Sequence, residues 1–183
     1  MSSYTEGQVH QLANALERAG FTADDLRVLG QSNKLPDVLK AIRGHGAVMD
    51  LGTNPSVSWG RVVVEHSRGG KFEWDPSRAS LYLSRDQQDD KNVRVGQLRE
   101  ELAGKQVANA NVLDYLLAHP ELIPYQWIHR RILFSGTLYR YVGGSSYVRC
   151  LYFSGIDKRW TETERFLGDV VHGIGDTTLL LAA

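Results

Sequence analysis

The chain is short of the features that most often announce a function. It has one cysteine, Cys150, among 183 residues. A single cysteine excludes an intrachain disulfide and fits a reducing, cytoplasmic setting. There is no excess of charge: Lys+Arg and Asp+Glu are 21 each. Non-specific affinity for nucleic acid comes from clustered positive charge, so the balance argues against a general polyanion binder. No apolar run approaches the ~20 residues of a membrane span, and no membrane partner is expected. The opening residues, MSSYTEGQVHQL, carry no basic stretch followed by an apolar one, so no leader is expected. The six histidines form no HxxxH pair and there is no CxxC, so neither metal nor cofactor is expected. The glycine-rich stretches GHGAVMDLG and VVHGIGD complete neither GxGxxG nor a phosphate loop. Ser135 and Ser154 precede glycines without forming the GxSxG elbow of a hydrolase.

What is present is ordinary globular material, 42% hydrophobic and 23% charged. The patterning predicts an α+β fold: a small N-terminal helical unit over 1–46, then an α+β domain over 56–183. Thr5 with Gln8 makes a capping box ahead of Val9, Leu12, Ala13 and Leu16 at helical spacing. Gly20 ends that helix. A second starts at Thr22 and ends at Gly30, and a third starts at Pro36. Residues 50–58, DLGTNPSVS, break the composition and mark the boundary.

Strands follow. Residues 59–66 and 71–74 flank the turn RGGK and read as a hairpin, and 79–84 alternates as a half-buried strand should. Residues 85–92 read as a polar loop, and 95–104 as an amphipathic helix ended by Gly104. Asn109 or Asn111 caps a second helix whose apolar residues cover more than one face, so it is central to the core. HPELIPYQW, residues 119–127, is a proline-framed corner with Leu122, Ile123 and Trp127 turned inward. Residues 130–142, 145–155 and 158–167 form an antiparallel meander packed on the two helices, joined at GGSS and GIDK. In its third strand Trp160, Glu162 and Glu164 share one face, and Thr161, Thr163 and Arg165 the other. The tail TTLLLAA reads as a final strand in preference to a loose protease tag.

GQLREELAGKQVANANVLDYLLAHPELIPYQW, followed by LFSGTLYRYVGGSSYVRCLYFSG and a tryptophan, resembles a group of short uncharacterised proteins from small-genomed, uncultivated bacteria. NANVLDYLLAHPELIP is its most specific portion. The resemblance implies a bacterial cytosolic protein and implies no chemistry.

Aromatic and basic residues interleave along the meander. Tyr, Trp and Arg are the residues that anchor protein interfaces. The preferred function is therefore a non-enzymatic binding or structural module. It would contact a protein partner through Arg131, Tyr139, Tyr141, Tyr147 and Arg149. Alternation of side chains turns some of these inward. The alternative is nucleic-acid binding by the N-terminal helices, with Lys34, Lys40 and Arg43 on phosphates. Against it, residues 1–46 hold five acids and five bases. A second alternative is a hydrolase using His119 or His66. The structural reading of His119, closing off the carbonyls of the central helix, is preferred.

Overall fold

The computed structural model describes residues 5–31, 35 and 47–181. The chain forms two compact units, Met1–Ile42 and Arg43–Ala183. In the first, α1 (Glu6–Arg18) begins with the predicted capping box: the Gln8 N–H donates to Thr5 Oγ1, and the Thr5 N–H to Gln8 Oε1 at 2.9 Å. Gly20 adopts the left-handed conformation that stops the helix, at φ +87°. In α2 (Ala23–Gln31), Asp25 accepts from the Thr22 N–H at 2.8 Å. The predicted third helix, and with it Lys34, Lys40 and Arg43, lies outside the described residues.

The second unit mixes helices with a curled, mostly antiparallel sheet. Its elements are β1 (Ala47–Asp50), β2 (Arg61–His66), β3 (Lys71–Trp74), β4 (Ala79–Tyr82), α3 (Arg85–Gln88), β5 (Val93–Arg94), α4 (Val95–Glu101), α5 (Ala110–Ala118), β6 (Arg131–Leu133), β7 (Thr137–Tyr141), β8 (Ser146–Ser154), β9 (Arg159–Phe166), β10 (Val170–Val171) and β11 (Asp176–Leu181). Seven strands share one sheet in the order β2-β7-β8-β6-β11-β4, with β9 along the other edge of β8. The meander β6/β7–β8–β9 is its middle.

Four local readings change. Residues 71–74 do not return onto 59–66: β3 pairs with β1, because burying Phe72 and Trp74 draws the segment onto the core while β2 joins β7. Residues 47–55 thus belong to the second unit. The strand expected over 130–142 breaks in two. Ile132 faces Leu151, but Tyr139 faces Tyr147, so the residues between them bulge out. Gly136 in that bulge lies against the carbonyls of Val107 and Ala108, and a Cβ there would meet them at 2.9 Å. Residues 85–88 form a short helix in place of a loop, because Ser84 and Gln87 complete a capping box. The tail from Asp176 to Leu181 is a sheet strand, parallel to β6 and antiparallel to β4.

Alternation gives the sheet two faces. On the front face Ile132, Leu151 and Leu179 share a core cluster with Val112, Leu113 and Leu116 of α5, and with Met49 and Trp74. The corner joins this cluster. Trp127 meets Trp74 edge to face at 6.2 Å, and Trp74 Nε1 donates to the Leu122 carbonyl at 3.2 Å. Ile123 and Trp127 are buried, and Leu122 is half-buried. On the back face Leu133, Val148 and Cys150 cluster with Val95 and Leu98 of α4.

Candidate binding site

The register of β7, β8 and β9 sorts the five sequence-predicted contact residues. Tyr139 pairs with Tyr147, and alternation puts Tyr141, Tyr147 and Arg149 on the same front face. Arg131 flanks Ile132, whose partner Leu151 is a front-face residue, so Arg131 lies on the back. The structure therefore brings four of the five together and separates one.

The front cluster is built on stacked rings. Tyr139 and Tyr147 lie nearly parallel at 5.5 Å, and Tyr141 packs on Tyr147 at 5.1 Å. Tyr139 is 2% exposed and Tyr147 1%. These two rings are wall and foundation, not exposed anchors. Arg61 of β2 arrives across from Tyr141 and holds its guanidinium 5.1 Å from that ring. Every charge here has a partner. Arg61 Nη1 meets Glu164 at 2.9 Å, and the Tyr141 hydroxyl donates to the same carboxylate at 2.7 Å. Arg149 Nη2 donates to Asp114 of α5 at 2.6 Å, and its Nε to Glu162 at 2.6 Å. Burial opposes the charge on Arg149, but the bonds to Asp114 and the charge of Glu162 outweigh it and hold its pKa above the ordinary value. Burial pushes the Tyr147 phenol up to about 12, and Glu164 adds to the effect. Burial raises Tyr139 too.

Arg61, Arg149, Tyr139, Tyr147, Ser56 and Ser58 line a cleft of about 110 Å³. The Tyr139 hydroxyl is buried and has no hydrogen-bond partner among the described residues. Beside this cleft stands Trp59, 100% exposed. Val57 and Val142 are exposed as well, and the Val142 N–H donates to the Gly60 carbonyl at 3.0 Å, which ties this tip to β7. Sequence reasoning placed Glu162 and Glu164 on one face but missed Arg61 and Trp59. The exposed Trp59 follows Ser58 in a loop with no periodicity to read.

The back-face residue Arg131 sits in different company. Its Nη1 meets Asp176 at 2.9 Å, and Arg165 Nη2 approaches the same carboxylate oxygen at 3.6 Å. Arg130 Nη1 donates to the Ile174 carbonyl at 3.2 Å.

The histidines considered for hydrolysis are placed as follows. His119 ends α5, but its side chain caps no carbonyl there. It is half-buried, pairs with Glu121 at 3.3 Å, and packs on the Tyr115 ring at 4.4 Å. Asp114, weighed as its partner, is committed to Arg149. His66 Nδ1 meets Thr137 Oγ1 at 2.8 Å, and His66 Nε2 meets the Leu51 carbonyl at 3.2 Å. The carbonyl can only accept, so the proton is assigned to Nε2 and Thr137 donates to Nδ1. A hydroxyl beside a histidine is nucleophile-and-base geometry. Thr137, however, is wholly buried and already accepts the Ala110 N–H at 3.0 Å. With Asn109, which donates to the Leu51 and Ser67 carbonyls at 2.9 Å, it locks the start of α5 to the bulge. Among the described residues no three His, Cys, Asp or Glu side chains are grouped to hold a metal ion, and no helix is long and apolar enough to cross a membrane. The chain matches no family model, no curated protein and no solved structure.

Proposed function

We propose that the chain is a non-enzymatic binding module of a bacterial cytosol that contacts a protein partner at the β2–β7 end of the front face. The observation that carries the reading is the fully exposed Trp59 beside the arginine–tyrosine cleft. A tryptophan left in water is costly, and Trp, Tyr and Arg are the residues that concentrate binding energy at interfaces. Val57 and Val142 widen the apolar tip, and Arg61 and Tyr141 border it with polar groups. An apolar centre with a polar rim is how protein interfaces are built. Tyr139 and Tyr147 support this surface from beneath. Arg149 holds α5 to the sheet and contributes rigidity, which reduces the cost of ordering a surface on binding.

The test places a photo-crosslinking residue at position 59 in the full chain, in bacterial cells, and identifies the adduct. Trp59→Ala and Tyr141→Ala are then measured against the identified partner. The reading expects each to weaken binding at least tenfold, Trp59→Ala at unchanged melting temperature. Equal binding by the wild type and both variants contradicts it.

A further inference from the structure

The back face carries a cluster that the front-face reading does not use. Two arginines meet there on one carboxylate, with a third beside them. Asp176 is buried, its side chain 7% exposed, and a single oxygen of it serves both Arg131 and Arg165. Arg130 bonds the Ile174 carbonyl and no carboxylate. Asp169 also acts on Cys150 beside this cluster, so three guanidiniums against two carboxylates leave an excess of one positive charge. Arg131 Nε and Arg165 Nε are buried without an acceptor among the described residues. The front face shows what balance looks like: Arg61 and Arg149 there share Glu164, Glu162 and Asp114. Partly buried arginines short of acceptors are stabilised by any anion that brings them, and most by one with several oxygens.

Arg130 and Arg131 line a pocket of about 330 Å³ with His129, Tyr152, Ile128 and Asp176, and Arg165 stands behind this lining on the Asp176 carboxylate. That is the lower end of the ~300–1,000 Å³ of small-molecule sites. The pocket is mainly polar, with an aromatic ring and an aliphatic side chain at its wall. We infer that this pocket binds a phosphate monoester or free phosphate. A phosphate monoester carries roughly −1.5 to −2 at neutral pH and three acceptor oxygens, which complements the excess positive charge and offers acceptors to the accessible parts of the Arg130 and Arg131 guanidiniums. Asp176 does not compete for the anion. It fixes two guanidiniums in place, and its backbone carbonyl is itself held by Gln87 Nε2 at 2.8 Å. The donors are thus arranged before the ligand arrives, which limits the cost of binding. The site lies on the opposite face from the proposed partner surface and stands independently of it.

The test is a thermal-shift and calorimetric titration of the full chain with inorganic phosphate and, separately, glycerol 3-phosphate, against potassium chloride at equal ionic strength. Both phosphates are expected to stabilise the protein beyond chloride, and tighter binding of the ester identifies a monoester ligand over the free ion. Arg131→Gln and Arg130→Gln should each weaken binding at least tenfold. Arg68→Gln, which removes a charge from an exposed arginine bonded to Asn54, should leave binding unchanged. Should Arg131→Gln fail to fold, Arg130→Gln decides alone, because Arg130 contributes only one bond to a backbone carbonyl. Absence of any effect beyond chloride overturns the inference. So does equal binding by the wild type and the arginine variants, or a loss in Arg68→Gln as large as theirs.

Discussion

The two faces of the sheet are built from the same interleaved Arg and Tyr residues and end in opposite electrostatic states. On the front, two arginines meet three carboxylates and the tyrosine rings stack beneath them. On the back, two arginines share one carboxylate, a third lies beside them, and two guanidinium nitrogens lack acceptors among the described residues. The difference comes from what each face is covered by. The helix α5 brings Asp114 down onto Arg149, and β9 lays Glu162 and Glu164 across the front. The same strand turns Thr161, Thr163 and Arg165 to the back, so it supplies acids to one side and a further cation to the other. Charge spent inside a fold stabilises it, whereas charge left over is available to a ligand.

The largest expected effect lies in the apolar half of the front. Trp127→Ala should cost about 3–5 kcal/mol in urea unfolding, as large aromatic truncations do. A loss below about 1 kcal/mol would mean that the corner is not part of the core. The next separates the faces directly. Arg149→Leu strands two acids and should cost about 2–3 kcal/mol, below the 3–5 of a wholly buried pair because Asp114 and Glu162 are partly solvated. Arg131→Leu should cost less than about 1 kcal/mol, because Arg165 still faces Asp176 and an excess charge is relieved. Equal losses for the two variants would erase the distinction between the faces.

Alkali should also act through the front. The Tyr147 phenol is raised from 10.0 to about 12, so between these values the folded chain keeps a proton that the unfolded chain releases. Stability is then unaffected below pH 10 and falls as pH rises toward 12. A phenolate absorbance titration, compared between the wild type and Tyr147→Phe, should show the Tyr147 phenol ionising only as the chain unfolds; its ionisation near pH 10 in the folded chain would show the stacked rings to be open. The smallest effect is at the surface. Trp59→Ala should change stability by no more than about 0.5 kcal/mol, since an exposed side chain loses no packing. A larger loss would mean that Trp59 is a structural residue and not a contact.

Much of this frame is legible along the chain. Period-two alternation marks β8 and β9, glycine and asparagine mark the ends of helices, and the proline corner is placed by its own chemistry. The illegible parts depend on pairing between distant segments. Nothing local tells β3 to pair with β1, which precedes β2, nor marks Gly136 as the residue that lets two strands bend around α5. Arg131 looks like Arg149 in sequence. Only the bulge, which shifts the pairing between β6 and β7, and the alternation within each strand decide that they face apart. Asp176, at the start of a strand that reads as apolar, gives no sign that it will sit between Arg131 and Arg165.

The most direct test follows each arginine separately. Side-chain Nε–Hε resonances of Arg61, Arg149, Arg130 and Arg131 can be assigned by substitution and followed as inorganic phosphate is added at constant ionic strength. Arg130 and Arg131, which line the pocket, should shift together and saturate, while Arg61 and Arg149, held by their own carboxylates, stay where they are. Equal movement of all four, or movement of Arg149 alone, would contradict the division of the sheet into a satisfied face and an unsatisfied one.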